Sequence, residues 1–167
     1  IKAILLLERL GYEVEIPQHT ESGRSWLSKG LLRKAKVIAA QNIRDLAPFI
    51  TEETPLIGVE PSAILTFRDE YIDLADDDIF EAAKNLSKNV WTIDEFLSME
   101  LDRGRIDTTL FTSASKKVML HGHCQQKALS SVAPTVKILS IPKGYKVQTI
   151  PSGCCGMAGS FGYEKEH

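Results

Sequence analysis

Cys124, Cys154 and Cys155 are the three cysteines of this 167-residue chain. An odd count with one adjacent pair makes a poor disulfide framework, because neighbouring cysteines bridge only through a strained ring. A reducing compartment follows, with metal binding or thiol chemistry as the natural use of the sulfur. Thiolates select zinc, copper(I) or iron–sulfur centres. Zinc sites more often carry Cys-x-x-Cys or Cys/His pairs at short spacing. A vicinal Cys-Cys-Gly is unusual for zinc, since two successive ligands on one chain strain a tetrahedron. Gly153, Gly156 and Gly159 surround the pair. They allow close approach of the backbone to an inorganic cluster and positive φ, and N–H groups of such a loop can bond sulfides and tune the potential. His121 and His123 flank Cys124, and a turn-capping role outweighs ligation for them. Two other readings stay open: a zinc-binding or purely structural interaction domain using the three thiols and a histidine, and a thiol-redox protein with Cys154 or Cys155 as a reactive thiolate at a helix start.

The elements around these residues set where the thiols fall. Lys117–His121 reads as a buried strand, turning through His121-Gly-His-Cys124 into a helix from Gln125. Val147–Ile150 is the last strand and runs into a Gly-rich loop over 151–162. Ligands bind beyond the carboxyl ends of strands in open α/β sheets, so the two loops are placed to bring three thiols together. Upstream, residues 1–10 are apolar nearly all round, which predicts a buried helix; 12–16 alternate as a strand does. A long helix is predicted from Ser25 to Leu46, with Leu27, Leu31, Ala35, Ile38, Asn42 and Leu46 on one face. Pro55–Val59 reads as a strand, and Ala63–Tyr71, Ile79–Asn89, Phe96–Leu101 and Val132–Leu139 as helices. The order predicts an α/β fold of two small similar halves, with parallel or mixed sheets flanked by helices. GYEVEIP before QHTESGR and GYKVQTIP before SGCCGM form a weak internal repeat.

Composition narrows the function classes. The apolar fraction is 43% and the charged fraction 25%, ordinary for a globular domain. Twenty Lys and Arg against 22 Asp and Glu leave a net charge of −2, which argues against a nucleic-acid groove. The apolar run Ile4–Leu7 is far too short to span a bilayer, and no signal peptide is visible. P-loop, GxGxxG and Ser/His/Asp patterns are missing. The start at Ile1 within a hydrophobic helix, and the close at Gly162-Tyr-Glu-Lys-Glu-His167, read as a piece cut from a longer chain.

HGHCQQKAL followed by SGCCGMAGSFGYEKEH resembles the second cysteine-rich CCG domain of heterodisulfide reductase, of the glycolate oxidase iron–sulfur subunit and of anaerobic glycerol-3-phosphate dehydrogenase. The nearest likeness is to the C-terminal part of fused FAD-linked oxidases acting on D-lactate, glycolate or 2-hydroxyglutarate. SKGLLRKAK and GVEPSAILTFRDEY extend it over most of the chain. The resemblance implies a [4Fe–4S]-type cluster in the full-length protein, with Cys124, Cys154 and Cys155 as its first three ligands, Gly153 and Gly156 shaping the loop, and a later Cys-x-x-Cys that these residues do not include, so this segment alone is expected to lack a complete ligand set and to be inactive. It implies an electron-transfer module, with FAD on a separate domain or subunit and a quinone or cytochrome as acceptor. The location expected is cytoplasmic, at most peripheral to the inner face of the membrane. It also divides the chain: 1–104 as a degenerate first CCG-like half, and 105–167 as the second, truncated half. In the first, Glu21-Ser22-Gly23 stands where Cys-Cys-Gly is expected and Ala63 where a cysteine would close the motif, so that half is expected to be a scaffold without a cluster.

Overall fold

The computed structural model describes residues 1–157, 159 and 161–166. Ala158 and Ser160 of the expected Gly-rich loop, and the closing His167, lie outside the described residues. In chain order the elements are α1 (Lys2–Arg9), α2 (Arg24–Ser28), α3 (Leu32–Leu46), β1 (Leu56–Gly58), α4 (Pro61–Arg68), α5 (Glu70–Leu74), α6 (Phe80–Ser87), β2 (Val90–Thr92), α7 (Ile93–Asp102), β3 (Lys116–Leu120), α8 (Cys124–Leu129), α9 (Ala133–Leu139) and β4 (Tyr145–Thr149). Short 3₁₀ turns cover Thr108–Leu110 and Phe161–Tyr163. The α/β class is as expected: β1 pairs with β2 and β3 with β4, each pair parallel. Among the described residues, no helix is long and apolar enough to cross a membrane.

The chain forms two compact units, one of residues 1–16 with 93–153, the other of 17–92 with 154–167. The first helix belongs with the later strands, and the cysteine-pair tail clusters with the earlier ones.

In the unit of 17–92 and 154–167, α3 is the central helix. Ala35, Ala39, Asn42, Ile43 and Leu46 make its buried stripe, facing α5 and α6. Leu65, Phe67, Tyr71, Ala83, Leu86 and Val90 complete the core. A buried aliphatic or aromatic side chain of this size contributes about 1.5–3 kcal/mol. The single helix expected from Ser25 to Leu46 is two. It breaks at Gly30, where the N–H groups of Gly30 and Leu31 turn back to the carbonyls of Leu27 and Trp26 (both 2.9 Å) and close α2. Leu31, expected on the buried face, lies at that break and is exposed. β2 was not foreseen: three residues are too few to show a period. α4 starts at Pro61, with the Glu60 carboxylate accepting from the N–H groups of Ser62 and Ala63.

In the other unit, two expectations are corrected. The first helix is not buried all round: Leu7 is buried, but Ile1 is 94% and Leu5 46% exposed. Lys2, Glu8 and Arg9 share its outer surface, which makes it amphipathic. Residues 12–15 keep their alternation, with Tyr12 and Val14 half-buried and Glu13 and Glu15 exposed, but Ile16 is 69% exposed, and the segment forms no strand because none of the described strands pairs with it. β3 also has one open face, with Val118 and Leu120 half-buried and Met119 exposed. Tyr12 is instead anchored through its side chain. Its ring meets Phe96 edge-on at 5.1 Å, and its hydroxyl donates to Glu100 Oε2 at 2.8 Å. The Glu100 side chain, 2% exposed, also accepts from Arg103 Nη1 at 3.0 Å and Arg105 Nη1 at 3.2 Å.

Burial alone would raise the Glu100 pKa, but the bonds from Tyr12, Arg103 and Arg105 outweigh it and hold the carboxyl below its ordinary value. The cluster's contribution to stability is therefore complete above the ordinary glutamate pKa of about 4.3 and is lost as the pH falls through the lower folded value. Tyr12 is pushed up to about 12, by burial and then by Glu100. Its share is present below its ordinary value of about 10 and lost as the pH rises through the folded one. Replacing Glu100 by Leu leaves three donors without their acceptor and is expected to cost about 1–3 kcal/mol at pH 7. Urea unfolding of wild type and variant across this pH range checks both the loss and its disappearance in acid.

Candidate metal centre

β3 and β4 run in register from Lys116 opposite Tyr145 to Leu120 opposite Thr149. One further bond, from Ile150 N–H to the Leu120 carbonyl at 2.8 Å, carries the pairing past the last rung. The two chains therefore leave the sheet side by side at its carboxyl edge.

From β3 the chain turns through His121, Gly122 and His123 into α8, whose first residue is Cys124. His123 caps the helix: its Nδ1 accepts from Gln125 N–H at 3.2 Å, which satisfies one of the donors a helix start leaves open. This is the capping role weighed above ligation. His121 is exposed. At Gly122 only glycine fits, since a Cβ would lie 2.5 Å from Val132 Cγ1 and 3.4 Å from Cγ and Cδ of Lys127.

Behind Cys124 sits a polar hub. Gln126, 5% exposed, donates from Nε2 to Asp94 Oδ2 (2.7 Å), the Ser131 carbonyl (3.2 Å) and Thr135 Oγ1 (3.0 Å). The Thr135 hydroxyl donates to Asp94 as well, and Ser130 to Glu95. One buried amide thus ties α8 to α7 and α9, and fixes the helix that carries Cys124 at its start.

From β4 the chain runs through Ile150, Pro151 and Ser152 to Gly153. Lys127 Nζ donates to the carbonyls of Ser152 (3.2 Å) and Gly153 (2.6 Å). Cys154 is the next residue, so its Cα lies about 3.8 Å from that of Gly153. In the tail that follows, Gly156 adopts φ +90° and donates its N–H to Cys154 Sγ at 3.3 Å. An L side chain rarely takes that φ. Gly153 departs from the expectation of positive φ, and a Cβ there meets nothing within 4 Å. Its part in the structure is its carbonyl.

Cys124 is half-buried, Cys154 and Cys155 are exposed, and none is in a disulfide. The three thiols form a triad able to hold a metal ion, and no histidine or carboxylate shares it among the described residues. Three soft sulfur donors fit an iron–sulfur centre, copper(I) or zinc and do not fit magnesium or calcium. Among the described residues His19 joins no such group; its Nδ1 lies 2.8 Å from the Thr20 carbonyl. Around it, Glu21 and Ser22 present carbonyls to Asn42 Nδ2 (2.8 Å) and Tyr71 OH (3.1 Å), so this loop is held by protein donors. Sequence reasoning assigned no role to Gln126, Lys127, Asp94 or Gly122. The one available signal was that Gln126 and Lys127 lie within the first helical turn after Cys124.

The chain is 27% identical over 165 residues to a D-2-hydroxyglutarate dehydrogenase of Pantoea ananatis and 26% identical over 165 residues to one of Escherichia coli. It is 24% identical over 166 residues to one subunit of the anaerobic glycerol-3-phosphate dehydrogenase of Escherichia coli. Each similarity takes in 98% of this chain, but only 15% of the two hydroxyglutarate dehydrogenases and 40% of the glycerol-3-phosphate dehydrogenase polypeptide. No family model and no solved structure matches the chain. Both kinds of relative are among those that the HGHC and CCG motifs resemble.

Two substitutions test the scaffold behind Cys124. Gly122→Ala forces a methyl against Val132 and is expected to cost about 1–3 kcal/mol. Gln126→Leu keeps the volume but strips the hub of its amide, with a loss of about 1–3 kcal/mol. Denaturant unfolding measures both, and wild-type stability in either variant contradicts the packing described.

Proposed function

We propose that this chain is an iron–sulfur electron-transfer module of an oxidoreductase acting on a 2-hydroxy acid or a related substrate. The observation that carries the proposal is the triad of thiols on the loops that follow β3 and β4. Its likeness to D-2-hydroxyglutarate dehydrogenases and to part of a glycerol-3-phosphate dehydrogenase supports the substrate class and the redox setting. In this reading Cys124, Cys154 and Cys155 hold a [4Fe–4S]-type cluster, and Gly153 and Gly156 give the loop its course. When bound, such a cluster supplies reversible one-electron carriage. The chain's own residues hold and tune it. The Gly156 N–H is directed at Cys154 Sγ, a bond of the kind that sets the potential of thiolate-ligated clusters. The Gln126 hub keeps the Cys124 helix in place.

The electrons enter from FAD on a separate domain or subunit and leave to a quinone or cytochrome. The setting is cytoplasmic, with an acceptor in or at the membrane reached without a span of this chain. Residues 1–104 serve as a scaffold in which Glu21, Ser22 and Ala63 stand in the places of cluster ligands.

Anaerobic reconstitution of the full-length protein with iron and sulfide, followed by iron and acid-labile sulfide analysis, tests the proposal. Wild type is expected to take up both and to absorb near roughly 400 nm from thiolate-to-iron charge transfer. Cys155→Ala should lose most of that iron. One tightly bound zinc per chain in place of iron, or unchanged iron in Cys155→Ala, contradicts it.

A further inference from the structure

The side chain of Lys127 has two separate engagements. Its Cγ and Cδ run over the backbone of Gly122, where a Cβ would lie 3.4 Å from each. Its Nζ reaches the carbonyls of Ser152 and Gly153 at 3.2 and 2.6 Å. The stem thus lies on the turn that leads into Cys124, and the ammonium on the two residues that lead into Cys154. The β-ladder does not do this work: its last bond is from Ile150 N–H to Leu120. Pro151 follows, which has no N–H to donate. Beyond it, the Ser152 N–H turns back to the Ile150 carbonyl at 2.8 Å. A contact between a charged donor and a carbonyl is stronger than a neutral one, and here one cation serves two carbonyls directly before the cysteine pair.

We propose that Lys127 is a positioning residue for the thiolate set, a clasp that holds the start of the cysteine-pair loop to the Cys124 helix. The inference rests on the reading of the three thiols as metal ligands. It adds to that reading the group that keeps two separate loops in register. Groups that orient metal ligands without touching the metal are typically worth about 10- to 100-fold in metal affinity.

Lys127→Met tests it, because methionine retains a flexible stem over Gly122 while removing the donors and the charge. Lys127→Arg restores both. Two measurements on the whole chain are needed. Amide hydrogen exchange of residues 152–156 in the metal-free protein reports on the clasp without any metal. Titration with cadmium, a thiophilic ion followed by its thiolate absorption, reports on the assembled ligand set. Lys127→Met should exchange faster over 152–156, keep the wild-type denaturation midpoint and bind cadmium about 10- to 100-fold more weakly. Lys127→Arg should recover most of that affinity. Equal cadmium affinity in wild type and Lys127→Met overturns the proposal, as do unchanged loop exchange alongside lost affinity and an arginine variant that recovers nothing. Refusal of cadmium by wild type itself overturns the thiolate reading, and this inference with it, whatever the loop exchange shows.

Discussion

Two parallel strands that end in register oblige the chains leaving them to begin side by side. That constraint, set by the pairing of Leu120 with Thr149 and extended by the Ile150 bond, governs where Cys124 and the approach to Cys154 lie. A parallel pair cannot be closed by a tight hairpin, so the connection from β3 to β4 must be a crossover, here α8 and α9. The crossover serves a second purpose. Its first helix carries Cys124 at its start, its second supplies Thr135 to the Gln126 hub, and Val132 between them fits against Gly122. The segment that closes the sheet also fixes the cysteine.

The unit of 17–92 and 154–167 uses the same device without thiols in its crossover. β1 and β2 are parallel and joined through α4, α5 and α6. The helix after β1 starts at Pro61 under the Glu60 carboxylate, and Ala63 stands in its first turn. A carboxylate accepting helix N–H bonds serves the backbone and stabilises the positive end of the helix. A thiolate there would compete for the same donors.

What was legible in the sequence follows from how many residues carried each signal. The face of α3 was readable because Ala35, Asn42 and Leu46 repeat over several turns, so even the polar Asn42 was placed on the buried side. β1, β3 and β4 were visible as apolar or alternating runs. β2, three residues directly followed by α7, offered too few positions for a period. The expected strand at 12–16 shows the opposite limit: its alternation in burial holds only from Tyr12 to Glu15, and a strand needs a partner, since pairing is a property of the whole fold. The cysteines announced themselves by type and adjacency. Their supports did not, because Gln126, Lys127 and Asp94 look like ordinary helix residues until the fold reveals what their side chains reach.

The loops at the two candidate motifs are clamped at their carbonyls in physically different ways. At Glu21 and Ser22 the donors are Asn42 and Tyr71, both fully buried and neutral. Asn42 also accepts through Oδ1 from Thr20 N–H at 2.9 Å and Thr20 Oγ1 at 3.0 Å, and donates to Tyr71 at 2.8 Å. Burial raises the Tyr71 pKa well above the usual tyrosine range, so its proton stays in place. Breaking such a network exposes unsatisfied buried groups, at about 1–3 kcal/mol each, and the loop is set once, when the protein folds. At Ser152 and Gly153 the donor is an exposed ammonium on a flexible stem.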